Sequence, residues 1–224
     1  MAKVLIIVTN HATLGDTDEK NGTYAPELTH ALQVFLDAGY SYDIASISGG
    51  AAPLYGEEID DAVNQSVLAD ADFQARINDT LATAQINNDD YNALFFPGGF
   101  GLLSDLASNK DVAAITANFY EAGKVVAAVC HGPAALLPVE LSDGSMLLAS
   151  RQVTAFTREE EIDFATIDKI PFLLEEALTR KAAKFTKVGP WLEHVITDGQ
   201  LVTGQNPSSA HAVGEAMVAL IAKG

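Results

Sequence analysis

The stretch VVAAVCHGPAALL, residues 125–137, contains the only cysteine of the 224-residue chain. It begins with five small or β-branched apolar residues, which is typical of a strand buried on both faces of a sheet. A histidine, Gly132 and a proline follow Cys130, and the next apolar run is helix-like. The sequence therefore predicts that Cys130 lies in a tight turn between a strand and a helix that begins near His131.

Strand-like and helix-like segments alternate on the N-terminal side of this stretch. This alternation predicts an α/β fold, specifically a flavodoxin-like three-layer α/β/α sandwich with a mainly parallel central sheet. The segments are the strands KVLIIVT (3–9), YDIAS (42–46) and NALFF (92–96), a helix that Pro26 opens and Gly39 closes, a helix over 72–84, and a helix with Val112, Ile115 and Phe119 on one face.

The C-terminal part is less regular. QVTAF (152–156) and QLVTG (200–204) are strand-like, PFLLEEALTRKAAKF (171–185) predicts a helix, and Ser208–Ala222 predicts the last one. Because no internal repeat, low-complexity tract or linker interrupts the chain, we expect a single domain over residues 1–224.

Charge and cysteine content narrow the classes of partner. The 13 basic and 30 acidic residues give a net charge of −17, which disfavours binding to nucleic acid and to anionic membranes. No apolar run reaches membrane-spanning length, and the first strand lacks the features of a signal peptide. A single free thiol is typical of a reducing compartment, so we expect a cytoplasmic protein.

The predicted position of Cys130 indicates a functional site. Open α/β sheets bind ligands at the carboxyl edge of their strands, and hydrolases place their nucleophile in a similar sharp turn between small residues. Amides at the start of the following helix favour a thiolate, so we expect a pKa below the usual value of about 8.5. A lone cysteine is often only a small buried apolar residue. The Cys-His-Gly context at this turn favours the nucleophile.

A second segment, FFPGGFG (95–101), ends the neighbouring predicted strand. Gly98 and Gly99 can bring backbone N–H groups close to a bound oxygen, and with the amide of His131 they predict an oxyanion hole. Taken alone, a Pro-Gly-Gly sequence after a strand more often forms a plain turn.

The sequence predicts no metal site and no cofactor. The five histidines, at positions 11, 30, 131, 194 and 211, are widely spaced. No cluster of cysteine and histidine has the spacing of zinc ligands.

Four segments in this order resemble the ThiJ/PfpI superfamily, whose fold is that of class I glutamine amidotransferases. They are FFPGGFG, VVAAVCHGPAALL, VTAFTREEE (153–161) and VTGQNPSSA (202–210). A further segment, SGGAAPLYGEEID (48–60), is similar to the branch of heat-shock chaperones and glutathione-independent glyoxalases, the glyoxalase III type. The late histidines lack the His-x-Glu pair of the amidotransferases, so amidotransferase activity is not expected.

The resemblance implies roles for individual residues. Cys130 matches the family nucleophile, and Gly99 with the His131 amide matches the oxyanion hole. Glu27 matches an acid in the first helix that hydrogen-bonds the sulfur in its protonated form, and Glu161 matches a carboxylate that orients the histidine.

On the residues alone, two of these assignments have simpler alternatives. An acid such as Glu27 in the first turn of a helix complements the helix dipole without further function. Glu159 and Glu160 adjoin Glu161, and any of the three could orient His131. Phe100 departs from the family pattern, because close relatives often carry histidine there; we expect it to make the pocket more apolar.

The implied activity is that of a glutathione-independent glyoxalase, which converts a 2-oxoaldehyde such as methylglyoxal into a 2-hydroxy acid through a cysteine hemithioacetal. The implied partners are a small aldehyde substrate, a second copy in a homodimer and, in a chaperone, unfolded proteins. Three alternatives stay open: a stress-response holdase, a redox sensor in which Cys130 is oxidised to a sulfinate, and a cysteine hydrolase or peptidase.

Overall fold

The computed structural model describes residues 2–223 and is built around a seven-stranded sheet. The predicted domain, residues 1–224, begins and ends just outside this range. The strands are β1 (Lys3–Val8), β2 (Thr23–Tyr24), β3 (Ser41–Ser46), β4 (Leu54–Tyr55), β5 (Leu81–Ala82), β6 (Ala93–Phe96), β7 (Val125–Val129), β8 (Gln152–Val153), β9 (Lys184–Phe185), β10 (Val195–Asp198) and β11 (Leu201–Gly204). The helices are α1 (Ala25–Asp37), α2 (Ala62–Leu68), α3 (Ala71–Asn78), α4 (Gly101–Asp105), α5 (Lys110–Glu121), α6 (Arg158–Asp163), α7 (Leu174–Lys181) and α8 (Ala210–Ile221).

The large sheet has the strand order β10-β11-β7-β6-β1-β3-β5. Its strands pair in parallel except for β10, which is antiparallel to β11 at one edge. Two small parallel pairs, β2 with β4 and β8 with β9, lie outside it. Helices cover both faces, which confirms the predicted flavodoxin-like three-layer α/β/α sandwich.

Strand β1 shows how the sequence builds two hydrophobic cores. Val4, Ile6 and Val8 pack into the core that contains side chains of α1 and α8. Leu5 and Ile7 pack into the opposite core, with side chains of α4, α5 and α7. All five side chains are fully buried, and each contributes roughly 1.5–3 kcal/mol by leaving water. A central parallel strand therefore reads as a continuous apolar run.

Helix α1 agrees with the prediction made from its sequence. Pro26 lies in its first turn, and Leu32 and Phe35 are fully buried on its inner face. Gly39 follows the helix with a φ of 73°, a conformation that glycine adopts without strain. Glu27 lies in the first turn of α1. With 13 residues α1 is too short to span a bilayer, and no helix within residues 2–223 is long and apolar enough to do so.

Two predicted helices are shorter than their sequence patterns suggested. The helix expected over 72–84 ends at Asn78, because backbone hydrogen bonds between Gly50 and Thr80 draw the chain to the sheet edge as β5. The helix expected over 171–185 covers only α7, and its last residues pair as β9 with β8. In both cases long-range pairing ends a locally helical pattern.

The segment after Cys130 also differs from its prediction. The expected helix is a five-residue 3₁₀ segment, Gly132–Leu136. A 3₁₀ helix of this length aligns few peptide dipoles, so it offers a weaker positive end than an α-helix. Near the C-terminus, α8 begins at Ala210 after a 3₁₀ turn over Pro207–Ser209, and the antiparallel strand β10 was not predicted.

Candidate active site

Cys130 follows β7 directly, at the carboxyl edge of the central sheet. Its φ is 60°, a strained left-handed conformation that the surrounding backbone holds. The Cys130 amide donates to the Gly204 carbonyl at 2.9 Å, and its carbonyl accepts from the Phe156 amide at 3.0 Å. A Cβ at Gly132 would overlap the carbonyl oxygen of Phe96, so only glycine fits the turn. This geometry matches the nucleophile elbow expected from the sequence.

His131 lies between Cys130 and Glu161. Its Nδ1 is 3.3 Å from Cys130 Sγ, and its Nε2 is 2.8 Å from Glu161 Oε1. The second oxygen of Glu161 accepts a hydrogen bond from the Thr166 hydroxyl. Because a carboxylate only accepts, the imidazole hydrogen lies on Nε2, and the Nδ1 lone pair faces the sulfur. All three residues of the Cys-His-Glu series are buried.

The three adjacent glutamates at the start of α6 point in different directions. Glu159 is exposed and pairs with Lys187 at 2.7 Å. Glu160 caps the helix through Thr157, whose amide donates to Glu160 Oε2 at 2.8 Å. Of the three, Glu161 alone reaches the His131 ring, so the geometry selects the residue that the resemblance implied.

Glu27 is fully buried beside the nucleophile. Both of its carboxyl oxygens are enclosed without a hydrogen-bond partner at normal distance. A Cβ at Gly98 would overlap Glu27 Oε2 and would lie 2.6 Å from Cys130 Cβ, so this glycine lets both side chains approach. Burial raises the pKa of Glu27 to about 8, although the facing Cys130 thiol and Gly98 amide lower it in part. Glu27 is therefore mostly protonated at neutral pH.

The electrostatics of the thiol differ from the sequence prediction. Burial raises the pKa of Cys130, which is only 4% exposed, and ionised Glu27, Glu160 and Glu161 act in the same direction. The prediction of a lowered pKa is therefore wrong, because it considered the amides of a following α-helix and not the burial of the Cys130 thiol. Protonation of Glu27 removes its repulsion and leaves a donor that can face the sulfur.

Two backbone amides beside Cys130 are unused within the chain. In the region from residue 2 to residue 223, neither the Gly99 amide nor the His131 amide donates a hydrogen bond to another protein group. Gly99 has a φ of 124°, and a Cβ there would overlap the Gly22 carbonyl oxygen. The backbone can therefore adopt this conformation at position 99 only with glycine.

A small cavity of about 50 Å³ lies above the sulfur. Since one buried water needs on the order of 10–15 Å³, this space suits a compound of a few non-hydrogen atoms. The predicted pocket residue Phe100 is buried, and its ring centroid lies 4.4 Å from that of His131. The lining residues are Tyr24, Tyr55, Phe100, Cys130, His131, Phe156, Phe164, Trp191 and Pro207. The cavity is therefore mainly aromatic, and Phe100 contributes to its apolar lining.

Six of these lining residues were not predicted from the sequence. Tyr55, Phe156 and Pro207 lie in segments already noted for the resemblance, so their segments carried a signal although their roles did not. The sequence around Trp191 gave no such signal. In the structure its φ is 62°, and its amide donates to Glu160 Oε1 at 2.9 Å. The other two are Tyr24 and Phe164.

The remaining histidines lie outside the cavity, each with its own contact. They are His11 with Gly15, His30 with Asp61, His194 with Thr186, and His211 with Glu215. Among residues 2–223, no group of three His, Cys, Asp or Glu side chains is placed to hold a metal ion.

Known proteins resemble this chain over most of its length. The DJ-1/PfpI family model matches residues 20–220. The glutathione-independent glyoxalase HSP31 of Saccharomyces cerevisiae is 32% identical over 94% of each chain. Glyoxalase 3 of Candida albicans is 32% identical over 98% of each chain.

Solved structures give the same result for the fold. The Rapid Encystment Protein REP24 of Francisella tularensis superposes with a TM-score of 0.94, at 31% identity over 99% of each chain. Glyoxalase III of Candida albicans superposes with a TM-score of 0.87, at 26% identity over 98% of this chain and 97% of that one. These matches confirm the resemblance that the motifs indicated.

Proposed function

Because the chain belongs to the DJ-1/PfpI family, we propose that it is a glutathione-independent glyoxalase, which converts a 2-oxoaldehyde such as methylglyoxal into a 2-hydroxy acid. The observation that carries this proposal is the placement of His131 between Cys130 and Glu161 beneath a small aromatic cavity. The names of two relatives at 32% identity, both glyoxalases, support the same activity.

The nucleophile is formed by proton transfer within the buried series. His131 Nδ1 takes the proton from the Cys130 thiol as the sulfur attacks the aldehyde carbon. Glu161 faces Nε2 and stabilises the imidazolium that results, because it supplies a buried negative charge at hydrogen-bond distance. The attack gives a hemithioacetal whose oxygen carries the developing charge.

The unused amides of Gly99 and His131 stabilise that oxygen. Backbone donors fixed before the reaction contribute on the order of 3–4 kcal/mol each to such a step. Gly98 leaves room for the Glu27 carboxyl beside Cys130, and the Phe100 ring packs against the imidazole.

The carbon chemistry is an internal redox exchange. A base removes the C–H proton of the former aldehyde carbon, the neighbouring ketone oxygen gains a proton, and an enediol forms. Reprotonation at the former ketone carbon gives a thioester, which water hydrolyses to the 2-hydroxy acid and the free thiol. The aldehyde carbon is oxidised and the ketone carbon is reduced by the same two electrons, so no external oxidant enters. His131 and Glu27 are the groups that move these protons.

Charge favours a neutral substrate. The chain carries a net charge of −17, and two buried carboxylates, Glu161 and Glu160, contact the cavity-lining residues His131 and Trp191. An uncharged aldehyde enters this field without penalty, whereas the carboxylate product is repelled and leaves.

The test is loss of methylglyoxal, and formation of lactate, without glutathione. Wild-type protein should show turnover, and Cys130→Ser should abolish it while the protein stays folded by circular dichroism. Glu27→Gln keeps the shape of the side chain but cannot accept and return a proton, so turnover should fall by about 100-fold or more. Absence of wild-type turnover, or full turnover in Cys130→Ser, would contradict the proposal.

Three further features stay predictions from the sequence: one domain over residues 1–224, a cytoplasmic location, and a homodimer that could also bind unfolded proteins. Light scattering on the purified protein measures the oligomeric state. Suppression of aggregation by Cys130→Ser would show a chaperone function that is separate from turnover.

A further inference from the structure

Tyr24 and Tyr55 form one wall of the cavity as a pair. The short strands β2 and β4 place them directly opposite each other, with ring centroids 4.9 Å apart. The Thr23 amide donates to the Pro53 carbonyl at 2.9 Å, which extends this pairing. A Cβ at Gly56 would overlap a carbon of the Tyr24 ring, so the ring is held against the backbone. The pairing thus fixes two phenol rings beside Cys130.

The two hydroxyls are the uncommitted side-chain donors of the cavity. Both ring nitrogens of His131 are engaged, and the Trp191 indole N–H donates to Asp163 Oδ2 at 3.2 Å. The other lining side chains, apart from the Cys130 thiol, are phenylalanines and a proline.

Within residues 2–223, neither the Tyr24 nor the Tyr55 hydroxyl bonds to a protein group, yet neither is among the enclosed atoms without a partner. Both oxygens are therefore accessible, and both residues line the cavity. By contrast, the hydroxyl of Tyr91, which lies outside the cavity, donates to Asp43 at 2.8 Å.

A 2-oxoaldehyde brings two oxygens into this cavity. The amides of Gly99 and His131 account for the oxygen on the carbon that Cys130 attacks. The adjacent ketone oxygen would lie against aromatic carbon, and a buried carbonyl without a donor is costly.

We propose that the Tyr24 and Tyr55 hydroxyls bind the ketone oxygen and so select 2-oxoaldehydes over simple aldehydes. This inference rests on the proposed function, and it concerns substrate recognition at the same site. The segment SGGAAPLYGEEID thereby gains a function, because it supplies Tyr55.

The protonation of both phenols agrees with a donor role. Burial raises the pKa of Tyr24 to about 12 and that of Tyr55 well above 10. The negative charges of Glu27 and Cys130 act in the same direction. Both side chains therefore keep their O–H hydrogens at neutral pH.

The experiment compares Tyr24→Phe, Tyr55→Phe and the double variant with wild type. Each substitution removes one oxygen without a partner in the chain, so the fold should be unaffected. Tyr40→Phe is the matched control, because Tyr40 lies outside the cavity. We expect kcat/KM for methylglyoxal to fall about tenfold in each single variant and about 100-fold in the double variant, the effect of one lost hydrogen bond each.

A second measurement isolates recognition from turnover. Bound aldehyde protects Cys130 from iodoacetamide, so the concentration needed for half protection is measured for methylglyoxal and for propanal. Wild type and Tyr40→Phe should prefer methylglyoxal, and the double variant should lose at least tenfold of that preference. Its alkylation rate without aldehyde should equal that of wild type.

The outcomes separate the two proposals. Normal methylglyoxal turnover with unchanged protection in the folded double variant would overturn the tyrosine assignment and leave the glyoxalase proposal intact. If wild type shows no turnover, the glyoxalase proposal fails, and the protection measurement still decides whether the hydroxyls recognise the second carbonyl.

Discussion

Glu160 and Glu161 are adjacent and both buried, yet their carboxylates hold different parts of the molecule. Glu161 binds His131 and Thr166. Glu160 Oε1 accepts from the amide of Trp191 and from the side chains of Gln205 and Asn206, and its Oε2 accepts from Thr157. One residue thus orients the imidazole, while its neighbour joins α6 to the segment that carries Trp191 and to the end of β11.

We expect substitution by glutamine to have different effects at these two positions. Glu161→Gln removes the charge that stabilises the imidazolium, so kcat for methylglyoxal should fall by about 100-fold or more while the fold is retained. Glu160→Gln instead places an amide N–H₂ against groups that already donate. Its free energy of unfolding should fall by roughly 2–5 kcal/mol, measured by urea denaturation.

Each variant serves as the control for the other. Steady-state kinetics and urea denaturation are measured on both, together with Glu159→Gln, which alters only an exposed ion pair with Lys187. Equal losses of turnover and stability in Glu160→Gln and Glu161→Gln would show that the two carboxylates do not divide these roles.

A side chain at position 98 is expected to disturb the same site by steric overlap. In Gly98→Ala the new methyl group would overlap Glu27 Oε2 and crowd Cys130 Cβ. Overpacking of this kind costs roughly 1–3 kcal/mol, and displacing the sulfur should lower kcat/KM by at least about tenfold. Gly189→Ala is the matched control, because its Cβ would meet only Leu192 Cδ1, at 3.5 Å. Comparable kinetics in the two variants would contradict the assignment.

The parts of the fold that follow from local pattern were predictable. The buried strands β1, β6 and β7 read as apolar runs, and α1 carries its own start and stop signals at Pro26 and Gly39. Strand β8 lies within the strand-like segment 152–156. The pair β2–β4 and strand β9 were not predicted, because two-residue strands have no periodicity and depend on contacts between distant segments.

The site divides in the same way. The pattern of a strand followed by a tight turn predicted Cys130, His131 and the glycines. The family resemblance supplied Glu27 and Glu161. Trp191 and Phe164 reach the cavity through loops, so no spacing rule connects them to Cys130. The pKa of the thiol depends on how completely the fold encloses it, which a strand-turn-helix pattern does not specify.

We expect the Phe100 ring to contribute more to the stability of the protein than to proton transfer. Phe100→His places a polar ring among Tyr55, Phe156 and Phe164, and it loses apolar burial. The free energy of unfolding should fall by about 1–3 kcal/mol. Turnover should stay within about tenfold of wild type, because His131 and Glu27 still move the protons.

The control is Phe100→Leu, which stays apolar and should keep more of the stability than the histidine variant does. Urea denaturation and methylglyoxal kinetics are measured for both. A large gain in turnover for Phe100→His would show that a second imidazole takes part in proton transfer.

The burial of Glu27 predicts how stability depends on pH. The carboxyl loses its proton near 4.5 when the chain is unfolded and at about 8 in the native state. Between these values the native state holds more protons, so the free energy of unfolding falls as pH rises and levels off above pH 8. At about 1.4 kcal/mol per pH unit, the full effect is on the order of 5 kcal/mol.

Glu27→Gln cannot titrate, so it should lack this decline. Urea denaturation at pH 5, 7 and 8.5 compares it with wild type and with Glu57→Gln, a substitution at an exposed acid. We expect wild type and Glu27→Gln to be similar at pH 5, and the variant to be more stable than wild type by several kcal/mol at pH 8.5. Glu57→Gln should follow wild type throughout, because groups elsewhere in the chain affect all three proteins alike. Parallel curves of unfolding free energy against pH for wild type and Glu27→Gln would mean that Glu27 ionises in the native protein at its ordinary pH. Glu27 would then place a negative charge beside Cys130 and could not donate a proton to it.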